Sequence, residues 1–182
     1  PWHNRREDQG GGSLDNRMRI LVEIYRAIRN RVGANFPIGL KLNSADFKDG
    51  GFTADESQYV AISMQNEGID LLEISGGSYE NPAMTGNGVR AQLNQREAYF
   101  IEYADTIRPE LKIPLVVTGG FRSGTAMNAA LTSGVTVMIG MARPLAVDPD
   151  LPKKLFNSSD YVSECQRHST GFATLDYAAM LD

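Results

Sequence analysis

The sequence predicts an α/β fold in which short parallel strands alternate with helices. Three observations lead there. Four runs rich in Val, Ile and Leu, at 38–42, 69–75, 115–118 and 135–139, lack the polar alternation of half-exposed strands. Between them, apolar residues recur at three- and four-residue spacing, the signature of a helix face. Glycine or proline stands at most of the boundaries. Parallel strands joined by helices need right-handed crossovers. Such a unit suits either half of a (β/α)8 barrel or a small open sheet. The chain has 182 residues, and a complete barrel needs roughly 250.

The elements follow in order within a single domain, 1–182. Residues 1–12 are polar, end in Gly10-Gly11-Gly12, and read as a surface loop. Ser13 can cap a helix whose stripe is Leu14, Met18, Leu21, Ile24, Tyr25, Ile28 and Val32, and Gly33 ends it. Pro37 introduces a strand at 38–42, interrupted by Lys41. After a loop, Thr53 and Glu56 form a capping-box pattern for a helix that runs to Glu67. The strand at 69–75 closes on Gly76-Gly77, and a polar loop covers 78–94. A helix is expected over 95–107, with Tyr99, Phe100, Tyr103 and Ile107 as core residues. The strand at 115–118 ends in Gly119-Gly120, and Ser123 caps a short helix over 125–133. The last strand leads into Gly140-Met141-Ala142-Arg143-Pro144. Beyond Pro149 the pattern weakens. Residues 157–170 read as polar loop and 171–182 as the start of a C-terminal helix that the chain end cuts short.

Composition excludes some functions. A net charge of -4 gives no electrostatic reason to expect nucleic acid or an anionic membrane as a partner. No apolar run approaches the roughly 18–20 residues of a membrane span. The N-terminus has no signal-peptide core. The single cysteine, Cys165, cannot form an intrachain disulfide, which fits a reducing compartment such as the cytoplasm. Position 1 is proline rather than methionine, so the numbered chain is expected to begin inside a longer or processed product.

Sites in parallel α/β folds gather where strands end at their carboxyl edge. Two neighbouring strand ends, Gly119-Gly120 and Gly140 to Arg143, form a candidate phosphate site. Glycines let backbone N–H groups approach an anion, the helix after Ser123 points its positive end there, and Arg143 offers a bidentate fork. The alternative is a plain turn with Arg143 in a surface ion pair. Lys41 interrupts a strand expected to be buried. It either faces a bound anionic group at the barrel mouth or lies in water on an edge strand. His3 and His168 stand in irregular segments and are not expected to be catalytic, and Cys165 has no activating pattern. The acidic residues have no metal-loop spacing, so no metal is expected.

The segments Asn4-Arg5-Arg6-Glu7-Asp8 and Gly11-Gly12-Ser13-Leu14-Asp15-Asn16-Arg17-Met18-Arg19 resemble the stretch after the fourth barrel strand of Old Yellow Enzyme-like NADH:flavin oxidoreductases. Lys41 to Phe47 and Leu72 to Glu80 resemble that family's fifth and sixth strands. Thr118 to Phe121 and Gly140 to Pro144 resemble its seventh and eighth. The resemblance implies the C-terminal half of a TIM barrel, strands 5–8, and an FMN enzyme reduced by NADH or NADPH. It implies hydride transfer from the flavin to a small-molecule substrate, an activated alkene such as an α,β-unsaturated carbonyl compound. Carried over, Gly119, Gly120, Ala142 and Arg143 would hold the FMN phosphate, Lys41 would sit at the pyrimidine edge, and Ser75 and Gly76 would lie near the ring or substrate mouth. Many family members carry arginine at the position of Lys41, and Gln9-Gly10 stands where the family usually has tyrosine. The family's substrate-binding His/Asn pair and tyrosine proton donor are expected to be absent from this chain, which alone should then be inactive or incomplete. Catalytic residues are left unassigned. Two further readings stand beside this one. The first is a non-catalytic phosphate-ligand half-barrel that pairs its open edges in a homodimer; the second is an aldolase-like fragment using Lys41 as a Schiff base.

Overall fold

The computed structural model describes residues 2–77 and 97–163. The expected polar loop at 78–94, the second half of the polar stretch at 157–170, the C-terminal helix start, Cys165 and His168 lie outside the described residues.

The chain builds helix α1 (Leu14–Val32), strand β1 (Gly39–Asn43), helix α2 (Ala54–Glu67) and strand β2 (Leu71–Ser75). It continues with α3 (Ile101–Ile107), β3 (Leu115–Thr118), α4 (Gly124–Thr132), β4 (Met138–Gly140), α5 (Arg143–Val147) and α6 (Leu151–Asn157). All four strands pair in parallel in the order β1-β2-β3-β4. One register line runs Lys41↔Glu73↔Val116↔Met138. Every strand therefore delivers its carboxyl end to the same rim.

The two faces of the sheet differ. Leu72, Ile74, Leu115 and Val117 point into the core with Val60, Ala61 and Met64 of α2, Ala104 and Ile107 of α3, and Met127 and Ala130 of α4. Burying a side chain of Leu or Ile size contributes about 1.5–3 kcal/mol, so this face carries most of the folding energy. Strand alternation puts Lys41, Glu73, Val116, Thr118 and Met138 on the other face. There Met138 is 55% exposed, although it is a strand residue.

Caps lie close to where the sequence places them. Ser13 accepts from Asn16 N, and Thr53 and Glu56 close a full capping box. Gly68 takes the left-handed conformation that ends α2, and its carbonyl accepts from Tyr25 Oη at 2.6 Å. That bond and the Arg17–Glu56 and Arg26–Glu67 pairs dock α1 on α2. The N-terminal loop folds back on itself. Asn4 Nδ2 donates to Gly10 O at 2.8 Å, and Lys48 Nζ lies 4.0 Å from the Trp2 ring centroid.

Four details depart from the sequence reading. The expected single stripe of α1 divides in two. Leu14, Met18, Leu21 and Tyr25 pack against the core, whereas Ile24, Ile28 and Val32 join Ile20 on an exposed line at four-residue spacing. Helix α3 starts at Ile101, later than expected. Ala98 has φ 55° and Tyr99 N donates to Gly119 O at 3.1 Å, so the backbone is held at the β3 end before it can coil. Strand β4 begins three residues late, because the Thr136 hydroxyl sits between the carbonyls of Leu115 and Met138 and bends the entry. Helices α5 and α6 occupy a region where the periodicity is too short to register.

Leu72→Ala should cost about 2–5 kcal/mol, the range for emptying a fully buried Leu site. Ile24→Ala, on the exposed line of α1, should change stability by only about 0.5 kcal/mol in this chain. Urea unfolding of both variants checks the inward and outward assignments together.

Candidate functional site

The strand rim carries a polar row on the face away from the helices. Lys41 Nζ lies 2.6 Å from Glu73 Oε1, and Thr118 Oγ1 donates to the same oxygen at 2.6 Å. The row crosses β1, β2 and β3. On β4 it is completed by Gly140, where a Cβ would overlap Thr118 Oγ1. Glycine there leaves the threonine hydroxyl the room it uses to reach Glu73. Of the two readings of Lys41, the edge-strand one matches the described residues: the side chain is 53% exposed, and it is paired with Glu73 across the sheet instead of lying free in water. Burial pushes the Glu73 carboxyl up, but the hydrogen bonds from Lys41 and Thr118 and the lysine charge outweigh it, so the net shift is downward.

The ends of β1 and β2 are laced together beyond their ladder. Ser44 N donates to Ser75 O at 2.6 Å, and Gly77 N to Ala45 O at 3.0 Å. Ser75 is buried, and its hydroxyl donates to Asn43 Oδ1, while Asn43 Nδ2 donates to Gly77 O. Gly76 lies under the Phe100 ring and beside Ser44. Ser75 and Gly76 thus shape the rim, with the serine hydroxyl committed to Asn43.

At the β3 end the glycine pair meets two aromatic rings. Gly119 and Gly120 have φ 130° and 81°. A Cβ on Gly119 would come within 2.8 Å of the Phe100 ring, and one on Gly120 within 2.7 Å of Tyr99. The two rings meet edge to face with centroids 6.3 Å apart. The expected core residues Tyr99 and Phe100 thus also roof the turn that the sequence marks for phosphate.

The start of α4 is occupied by the protein's own groups. Glu97 Oε2 accepts from Arg122 N at 2.7 Å and Ser123 N at 2.8 Å. Gly124 N donates to Tyr161 O, and Ala126 N to the Ser123 hydroxyl. A carboxylate at these amides takes the place where the sequence reading directs a phosphate, because both anions need the same donors. The amides of Arg122, Ser123, Gly124 and Ala126 at the start of α4 are therefore engaged by the protein's own acceptors. The Nε of Arg122 is buried and makes no hydrogen bond among the described residues. At the β4 end, Ala142 precedes α5 and its carbonyl accepts from Leu145 N and Ala146 N, which places Arg143 at the first turn of that helix.

Sequence reasoning passed over Glu73, Thr118, Glu97 and Arg122. Glu73 carried a signal of the same kind as Lys41, a charge inside an apolar strand. Glu97 carried none, because its role depends on a contact across 25 residues of chain. Among the described residues, no group of three or more His, Cys, Asp or Glu side chains could hold a metal, and no helix is long and apolar enough to cross a membrane.

The family model described as NADH:flavin oxidoreductase / NADH oxidase matches residues 1–159. The chain belongs to this family. It is 42% identical over 158 residues to an NADH-dependent flavin oxidoreductase of Talaromyces variabilis, covering 82% of this chain and 37% of that protein. Among solved structures it is similar to a 2-naphthoyl-CoA reductase, with TM-score 0.77 and 33% identity over 86% of this chain and 23% of the other. It also shares the fold of an Old Yellow Enzyme homologue from Zymomonas mobilis, with TM-score 0.65 and 23% identity, covering 88% of this chain and 42% of that one. The chain thus spans less than half the length of each of these relatives. The four parallel strands and their helices are part of an α/β barrel, as the sequence predicts.

Two outcomes follow from the site. Gly120→Ala should destabilise more than Gly134→Ala. Both positions have positive φ, but only at Gly120 does a ring stand in the way of the new Cβ. Tyr99→Ala should recover part of that difference in urea unfolding. The second outcome concerns acid. With its folded pKa below the unfolded one, Glu73 adds stability that is present above the ordinary glutamate range and lost as pH falls through the folded value. Glu73→Gln should flatten the acid limb of a stability–pH curve and leave its slope above neutrality unchanged.

Proposed function

We propose that this chain carries the phosphate-and-ring half of an FMN site in an NAD(P)H-dependent reductase of activated alkenes. One observation carries the reading. The rim that holds a cation on the sheet face, Lys41, also holds a left-handed glycine turn and a buried guanidinium nitrogen that makes no hydrogen bond among the described residues. The donor set fits a phosphorylated flavin. Gly119 and Gly120 let the backbone come close to an anion, and Arg122 and Arg143 bring delocalised positive charge to the same pair of strand ends. Ala142 adds only backbone at that position. A lysine beside a ring favours negative charge on it.

FMN would supply the hydride chemistry, accepting hydride from NADH or NADPH and delivering it to an activated alkene such as an α,β-unsaturated carbonyl compound. The residues of this chain bind and orient it. Asn43 and Ser75 stiffen the rim beside the ring through their mutual hydrogen bond. Tyr99 and Phe100 cover the glycine turn and keep water from its backbone. The groups that bind a substrate carbonyl and return its proton would come from a complementary half-barrel, so this chain alone would bind FMN weakly and turn over little.

A specific observation also favours the alternative of a phosphate-binding half-barrel that pairs with a second copy. The outer edges of β1 and β4 have no strand partner among the described residues, and Ile20, Ile24, Ile28 and Val32 are exposed in a line on α1. Light scattering separates the cases: a monomer contradicts the homodimer.

FMN should bind more tightly than riboflavin, which lacks the phosphate. Arg143→Ala should remove about 10- to 100-fold of FMN affinity, the scale of a hydrogen bond to a charged group, and leave riboflavin unchanged. Flavin fluorescence titration checks both. Equal affinity for the two flavins in the unsubstituted protein would overturn the phosphate assignment.

A further inference from the structure

The polar row contains a residue to which the flavin reading alone assigns no role. If Lys41 serves to attract negative charge, a carboxylate in contact with it works against that service. Yet Glu73 is placed with care. One of its oxygens, Oε1, accepts from both Lys41 Nζ and Thr118 Oγ1 at 2.6 Å. Thr118 can reach it because β4 contributes a glycine at the paired position, Thr118↔Gly140. Three strands beyond β2 itself are thus committed to holding one carboxylate. Its side chain is 28% exposed, against 53% for Lys41, so the acid is the better anchored partner.

Stability does not explain the arrangement. An exposed ion pair contributes only about 0–1 kcal/mol, and an apolar residue at the position of Glu73 would serve a sheet face at least as well. The face that carries the pair is the one turned away from the hydrophobic core, toward the interior of the family's barrel. An exposed lysine stem also has many rotamers, and a fixed acceptor beside it selects among them.

We infer that Glu73 is a positioning residue for the cofactor half-site: it fixes where the Lys41 ammonium stands and cancels much of its charge, so that reduced flavin is held less strongly than an unpaired lysine would hold it. The inference rests on the flavin reading above. Hydride brings two electrons and one proton to the ring, which leaves it with one added negative charge. An unpaired cation would favour that state and make the flavin reluctant to give hydride up. Lys41 balanced by Glu73 keeps the cation in place and limits that preference. Thr118 and Gly140 act through Glu73, the first by fixing its oxygen and the second by leaving room for the threonine.

The test uses the full-length protein loaded with FMN and reads the midpoint potential of the bound flavin, together with the dissociation constants of oxidised and reduced FMN. Glu73→Gln keeps an oxygen that can accept from Lys41 and Thr118 but removes the charge. It should strengthen binding of reduced over oxidised FMN on the order of tenfold, which raises the potential by about 30 mV for a two-electron couple. Lys41→Met should move the potential the opposite way. A purely structural role would weaken both redox forms alike and leave the potential where it was. An unchanged or lowered potential in Glu73→Gln overturns the inference, while FMN binding in the unsubstituted protein leaves the flavin reading standing. If the unsubstituted protein binds no FMN, the flavin reading itself fails. Should Glu73→Gln not fold, Glu73→Asp withdraws the carboxylate by one methylene and should raise the potential by a smaller amount; no rise there overturns the inference equally.

Discussion

Parallel pairing in chain order is the constraint on which the rest of the structure depends. Because β1, β2, β3 and β4 run the same way and neighbour one another in sequence order, their carboxyl ends meet along one rim. The register Lys41↔Glu73↔Val116 then sets a cation beside an acid with Thr118 one pleat further along. A slip of one residue in β2 would send Glu73 into the hydrophobic core and bring Leu72 or Ile74 onto the polar face. The apolar face forbids that slip, since Leu72, Ile74, Leu115 and Val117 fill it without remaining exposure. Core packing and site geometry are therefore two consequences of one register.

The rim divides its charges by position. Lys41 and Glu73 form a nearly neutral pair on the sheet face, while Arg122 and Arg143 lie at the β3 and β4 ends. Glu97 reaches across to clasp the backbone of Arg122 and Ser123, which ties the segment before α3 to the loop before α4. That clasp uses donors which a helix start would otherwise offer to an anion. Tyr99 and Phe100 then set how much room the glycine turn has. Small residues and aromatic rings thus do at this rim what a longer loop would do elsewhere: they fix a backbone close to where a ligand would lie.

Much of the fold was readable in advance because local rules agreed with tertiary structure. Thr53 and Glu56 cap α2 as their spacing indicates, and Leu115–Thr118 is a buried strand as an uninterrupted apolar run suggests. The departures have a common cause in contacts between distant segments. Helix α3 is shortened by a bond from Tyr99 to Gly119, and β4 by the Thr136 hydroxyl against Leu115. Three- and four-residue spacing suggests one face on α1, yet Ile24 and Tyr25 diverge by about 100° on the helix, and only Tyr25 turns inward. At the site, Lys41 and the glycine pair announced themselves by chemistry that is costly or permissive out of place. Glu97 and Arg122 did not, because a carboxylate and a guanidinium in loops carry no local signature of what they will touch.

In the proposed site one rim binds the ring of FMN at β1–β2 and its phosphate at β3–β4, and amide chemical-shift mapping with FMN and riboflavin distinguishes the two ends. Both ligands should perturb the amides around Lys41 and Asn43, and only FMN should perturb Gly119, Gly120 and Arg143. Perturbation of that second group by riboflavin to the same extent, or of neither group by FMN, would contradict it.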